Sequence, residues 1–460
     1  MENYTKALVD FAAEIEYRDL SHSVIEQTKM FIADYYAASL AGYRVNGKFN
    51  SVVMAVLKEE GGTEQASILF EEKKYPISNA AFMNAVYAHG ADMDDGNRKS
   101  GGHIGTHIMS SVFALSEKLD VTWKDVIVAI NIGYDFFNRV AGAAQPGLYS
   151  KGFHSTGIAG AIASGAACAK LMGLDRNGIY NSVSLAAFQS SGLIIIDESG
   201  QSCKPVNPAN AARTGVISAM MAEKGLVTPR NPLESKKGWF HAFTDQVNET
   251  VLLDGLGIDF TICESYLKLY PTCRHTHSCI DAAIEIRKQI YESNYLLYDI
   301  EKVYVFVYPS AIKSAGTISN PQSQEEAKFS IHYAVATAFS KGNFSLEDLD
   351  TGNQDHTIID NLSKKIELII DDSMENREKG IRGARVKVIL CNGRIFEKTI
   401  LIPKGEGINS LNWDDIQMKM QACSQGIVEA EQARLFVEKC RCINDDDRFT
   451  PILSFLTKIK

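Results

Sequence analysis

Apolar residues recur at helical spacing through most of the first half of the chain. Lys6 to Glu16 and Ser23 to Ala41 follow that period, which marks helices with a buried face. Ala80 to Tyr87 and Ile108 to Leu115 form two more apolar helical stretches. Thr122 stands ahead of Trp123-Lys124-Asp125 as an N-cap for a helix running through Ile130 to Val140. From Gly157 to Met172 nearly every residue is small or apolar. Such a helix must be covered on all sides, yet at roughly 16 residues it is too short to span a bilayer. It is read as the central buried helix of an all-helical domain, and Asn210 to Glu223 supplies a further helix.

The pattern changes after about Asp254. Lys302 to Tyr308 alternates, with Val303, Val305 and Val307 on one face and Tyr304, Phe306 and Tyr308 on the other, the period of a strand. Arg385 to Leu390 and Ile395 to Leu401 predict two further strands. Asn392-Gly393 joins them as a hairpin turn with positive φ at both positions. Helices are expected at His277 to Gln289 and Ala327 to Phe339. After Pro403 helical periodicity returns, from Trp413 to Met420 and Gly426 to Lys439. The predicted architecture is mostly α. A large helical domain is built from both chain ends (1–260 and 404–460), and a smaller α+β lid domain (261–403) is inserted between them.

A chain of 460 residues suits two or three domains. The net charge of −9 argues against nucleic acid and anionic membrane surfaces as partners. It leaves room for an anionic small substrate at a locally basic site. Met1 to Asp10 has no basic, apolar leader, so no secretory signal is expected. The nine cysteines show no C-x-x-C spacing, which suits reduced thiols in the cytoplasm and disfavours a zinc or iron–sulfur centre.

Chemistry concentrates where packing has no use for it. From Asp92 to His107, three carboxylates, four glycines and two imidazoles occupy sixteen residues. That mixture disfavours regular structure and reads as a loop presenting proton-transfer groups between two packed helices. The i, i+4 spacing of His103 and His107 is a weak metal signal without the glutamate of H-E-x-x-H. Asp92-x-Asp94-x-Gly96 fails as a calcium loop, because its glycine comes one place early and its twelfth position is His103. Asp94 and Asp95 are as readily surface or capping residues as functional ones. Gly152 to Gly157, including His154, Ser155 and Thr156, offers hydroxyls and backbone N–H groups to an anion at a helix start. A histidine entering a buried helix is nonetheless more often structural. Lys204 before Pro205, the segment Tyr266 to His277 with Lys268, Arg274 and His275, and Glu325 to Ser330 complete the polar stretches.

In order, these stretches resemble the MmgE/PrpD family. They are Asp-Met-Asp-Asp-Gly-x-Arg with Gly-His-x-Gly, Gly-Phe-His-Ser-Thr-Gly-x-x-Gly, Lys-x-Tyr-Pro-x-Cys-Arg-His-Thr-His and Glu-Ala-Lys-Phe-Ser. The family includes 2-methylcitrate dehydratase, cis-aconitate decarboxylase and iminodisuccinate epimerase. The resemblance implies a homodimer, no metal or organic cofactor, a small carboxylate substrate, and a catalytic set of Asp92, His103, His154, Lys204 and Lys268. Arg98, Ser155, Thr156, Arg274 and His275 would bind substrate. Three departures count against decarboxylation. Gly96 stands where decarboxylases have threonine, Ile104 where they have proline, and no counterpart of their lid tyrosine lies between Ala311 and Gln322.

These chemistries share a carbanion or enediolate beside a carboxylate. The site needs a base, cations where charge develops, and a proton donor. His103 and His154 would serve as base and acid in either order, Lys204, Lys268 and Arg274 as carboxylate clamps, and Asp92 would orient a histidine or accept a substrate hydroxyl. The leading reading is a dehydratase. The alternatives are an epimerase using the same proton abstraction and a non-catalytic carboxylate-binding dimer.

Overall fold

The structure, a computed structural model, describes residues 3–195, 202–351, 357–376, 380–456 and 458. It divides into two compact units. One comprises Met1–Gly90, Asp94–Ser265 and Asn412–Lys460, and the other Ala91–Met93 and Tyr266–Leu411. The first is helical and draws on both chain ends; the second is the inserted α+β unit.

In the helical unit the Ser155–Leu171 helix is buried along its whole length except at Lys170. Helices Trp123–Ala143, Arg176–Phe188 and Val206–Glu223 pack around it. Its small residues permit that closeness: a Cβ on Gly215 of the neighbouring helix would lie 2.2 Å from the Ser164 Cβ. Thr122 caps Trp123–Ala143 in a capping box with Asp125, a motif that satisfies two otherwise orphaned N–H groups. The C-terminal Trp413–Ser424 helix returns to the His22–Val45 helix, where Lys419 and Asp34 pair at 2.6 Å.

The inserted unit is built on a four-stranded sheet in the order Ile366–Ile370, Ile300–Val307, Ala384–Leu390, Ile395–Ile400. The first pair is parallel and the others antiparallel. The His277–Glu292 helix packs on the last two strands. Val303, Val305 and Val307 are fully buried, as their alternation requires.

Local expectations are corrected at five points. The hairpin has positive φ at Gly393 but not at Asn392. Leu390 N–H donates to the Arg394 carbonyl at 2.9 Å, so three residues form the loop and glycine alone takes the left-handed position. The Ala327 to Phe339 pattern is two helices, Gln324–Lys328 and Ile331–Lys341. Ser330 interrupts them, its hydroxyl accepting the Tyr333 N–H at 3.1 Å. Gly426 lies outside the last helix, which begins at Ala430. Tyr308 is 1% exposed rather than sharing the half-exposed face of Tyr304 and Phe306. The acidic loop ends before Gly105, so His107 is a helical residue.

Candidate active site

In the helical unit, His89 ends the Ile77–His89 helix and is completely buried. The buried Asp94 carboxylate bridges two imidazoles. Its Oδ2 is 2.8 Å from His89 Nδ1 and its Oδ1 is 3.2 Å from His103 Nδ1. His103 Nδ1 also lies 2.9 Å from the Asp95 carbonyl oxygen. The His103 backbone N–H donates to Thr156 Oγ1 at 3.1 Å, and the Ser155 hydroxyl donates to the Gly101 carbonyl at 2.6 Å. The first turn of the central helix thus pins the loop. Gly102 allows the closeness, since a Cβ there would meet the Phe137 ring at 2.5 Å.

His154 immediately precedes that helix. Its Nδ1 stands 3.0 Å from the Asn207 amide nitrogen, which also donates to the Leu193 carbonyl at 3.0 Å. An amide N–H only donates, so His154 Nδ1 is an acceptor and the neutral ring carries its proton on Nε2. His103 is the reverse. A carbonyl and a carboxylate only accept, so Nδ1 holds the proton and Nε2 is the basic nitrogen. The His89 ring is 4.7 Å from the His103 ring and 6.1 Å from that of His154.

Charges follow the burial. His89 is pushed down to about 4 by burial; Asp94 opposes the fall, while Lys204 and His103 add to it. Burial alone would raise Asp94, but attraction to His103 and His89 holds its carboxyl well below the usual range. Asp95 is pushed up to about 8, first by burial and then by Asp94. It accepts the Gly105 N–H and the Tyr134 hydroxyl, both at 2.8 Å. His107 is pushed down to about 3 by burial, and its Nδ1 is 3.1 Å from Ser164 Oγ. Lys204 is half-buried in the turn before Val206–Glu223, and Arg98 is half-buried in the turn of the acidic loop.

In the inserted unit, Lys268 Nζ lies 3.2 Å from Asp92 Oδ2 and donates to the Asp92 carbonyl at 2.8 Å. Arg274 pairs with Glu406 at 2.7 Å, donates to His277 Nδ1 at 2.9 Å and lies over the Tyr266 ring. His275 Nδ1 is 2.6 Å from the Tyr308 hydroxyl. These contacts organise the Lys-x-Tyr-Pro segment.

Donor atoms of His89, Asp94 and His103 lie within 4.8 Å of one another. Within this cluster Asp94 Oδ2 is 2.8 Å from His89 Nδ1, while Asp94 Oδ1 faces His103 at 3.2 Å without forming a hydrogen bond. His89 and Asn207 were not singled out from sequence, and Asp94 was read as equally a surface or capping residue and a functional one. The available signal was a histidine closing an apolar helix five positions before an aspartate.

The MmgE/PrpD N-terminal domain model matches residues 6–250 and the C-terminal domain model residues 270–445. The chain belongs to the MmgE/PrpD family. It is 23% identical to the cis-aconitate decarboxylase-like protein oryM of Aspergillus oryzae, over 94% of this chain and 92% of the relative. It is also 23% identical to the cis-aconitate decarboxylase of Homo sapiens, over 93% and 89%. The 2-methylcitrate dehydratase of Salmonella typhimurium matches at 23% over 52% and 51%. Among the described residues no helix is long and apolar enough to cross a membrane.

Proposed function

We propose that this protein is a hydro-lyase acting on a small hydroxy-polycarboxylate, working as a cytoplasmic homodimer without a metal. The observation that carries this reading is the anchoring of His103 Nδ1 by the Asp95 carbonyl at 2.9 Å, with the Asp94 carboxylate 3.2 Å away as a neighbouring charge. An imidazole so held presents a basic Nε2, and the carboxylate behind it stabilises the imidazolium formed on proton abstraction. Decarboxylation needs no such base for its bond-breaking step; dehydration does. The substrate C–H proton passes to His103 Nε2, the electron pair forms the C=C bond as the C–O bond breaks, and the departing hydroxide takes that proton back from the His103 imidazolium and leaves as water. His154, with its proton on Nε2, donates a hydrogen bond where oxygen gains charge, the role of a neutral imidazole electrophile. Lys204 and Lys268 hold substrate carboxylates, and Asp92 positions the Lys268 ammonium.

Names of relatives support a di- or tricarboxylate: the two whole-length ones are called a cis-aconitate decarboxylase-like protein and a cis-aconitate decarboxylase, and the half-length match a 2-methylcitrate dehydratase. The test is proton NMR in D2O with hydroxy-, amino- and imino-polycarboxylates and with cis-aconitate. New alkene signals from a hydroxy acid, absent with His103→Ala, support the hydro-lyase. Deuterium entering the α-position without elimination makes the enzyme an isomerase, and loss of CO2 from cis-aconitate makes it a decarboxylase. Silence across the panel would favour a carboxylate-binding dimer.

A further inference from the structure

His89 has a feature that packing does not account for. Its Nε2 is buried and accepts no hydrogen bond, while its Nδ1 is 2.8 Å from Asp94 Oδ2. An unsatisfied buried acceptor costs free energy that an apolar side chain of similar size would not. Between Ala80 and Ala88, by contrast, the buried Asn84 amide has both its oxygen and its nitrogen hydrogen-bonded, to the Leu69 N–H and the Ser67 carbonyl. The Nδ1–H bond to Asp94 is therefore the reason for an imidazole at this position.

We propose that His89 is a positioning residue, which holds one oxygen of Asp94 so that the other stays aimed at His103 Nδ1. This rests on the reading of His103 as the base. A carboxylate with a single partner can rotate about its Cβ–Cγ bond, and it directs its whole charge at that partner. One held by a second N–H has a fixed plane and shares its charge between two rings. His89 does this as a neutral donor and adds no positive charge beside the base. The titratable and charged groups facing it are Asp92, Asp94, His103, Lys204 and His107, with the His154 ring 6.1 Å away. Replacing His89 leaves Asp94 with His103 as its imidazole partner, so His103 binds its proton more tightly.

The test uses the full-length protein labelled with 15N-histidine, in which long-range proton–nitrogen correlations read the protonated nitrogen and the titration of each ring. Wild-type His89 is expected to carry its proton on Nδ1. In His89→Leu the His103 titration midpoint moves up by about one pH unit, a tenfold change in proton affinity. In His89→Asn it stays in place, because the amide N–H occupies the position of Nδ1. On the substrate identified above, the leucine variant loses roughly 10–100-fold in kcat, the acid limb of its profile moves to higher pH, and asparagine restores both.

An unmoved midpoint in His89→Leu would overturn the proposal, as would equal shifts in the two variants. So would a wild-type His89 protonated on Nε2, a result that requires no variant to fold. The spectra need no substrate, so they fail or succeed independently of the hydro-lyase reading.

Discussion

Lys268 directs its ammonium at both the carboxylate and the carbonyl oxygen of Asp92, at 3.2 Å and 2.8 Å, with the lysine side chain 1% exposed and the aspartate 6%. A charge buried this deeply holds its place through its partner. Lys268→Met leaves the Asp92 carboxylate buried without that lysine, and breaking such a pair costs about 3–5 kcal/mol. Urea unfolding should show this loss and should show at least half of it recovered in Asp92→Asn/Lys268→Met. Asparagine is the right partner because Asp92 has φ +52°, where Asn is tolerated and branched residues are not. Recovery of stability without recovery of turnover would separate the structural role of the pair from its proposed catalytic one.

Replacing His103, the proposed base, tests the site most directly. His103→Gln keeps a polar side chain next to Asp94 but has no basic nitrogen, and should lower kcat at least 100-fold, within the range of roughly 10²–10⁴ for general acid–base groups. The melting temperature should stay close to wild type, because His103 lies at the edge of the core, its side chain 12% exposed. Turnover within a factor of three of wild type would remove His103 from the mechanism.

Asp95 gives a pH dependence of known sign. Its folded carboxyl is held at about 8, above the ordinary value of about 4. The folded state therefore keeps a proton that the unfolded state releases. That contribution to stability is full below about pH 4 and is lost as pH rises towards about 8. Asp95→Asn imitates the protonated carboxyl and has no proton to lose. Its stability relative to wild type should rise between pH 5 and pH 8.5 in thermal melts, and a constant difference would contradict the assignment.

The closure of the helical unit depends on Lys419 and Asp34. Both side chains are essentially inaccessible, at 0% and 2%, and Asp34 is pushed up to about 6 by burial against the pull of Lys419. Lys419→Met should destabilise the protein by about 3–5 kcal/mol, whereas Asp34→Leu/Lys419→Met should come within about 2 kcal/mol of wild type or exceed it. Paired unfolding curves of the two variants check this.

At the centre, Gly215→Ala should be among the most costly single-methyl additions. The new Cβ would lie 2.2 Å from Ser164 Cβ and 2.6 Å from its backbone carbon, so the two helices must part. Overpacking of this kind costs roughly 1–3 kcal/mol or more, readable as a lower urea midpoint.

By itself the sequence determined the elements and their burial. The small-residue run from Gly157 to Met172 is a covered helix, the Val303-Val305-Val307 alternation is a strand with one buried face, and the chain ends share the helical unit. These are legible because periodicity and side-chain size act locally or through one apolar face. The motifs also brought out His103, His154 and the acidic loop.

Only the tertiary structure decided which nitrogens hold protons. The His103 tautomer is set by the Asp95 carbonyl and the Asp94 carboxylate, and the His154 tautomer by an Asn207 amide that is itself held by the Leu193 carbonyl. Backbone carbonyls carry no residue identity, so no pattern of side chains announces where they will point. His89 was hidden for the same reason. At the end of an apolar helix it is indistinguishable from a packing residue until the chain turns back and places Asp94 beside it.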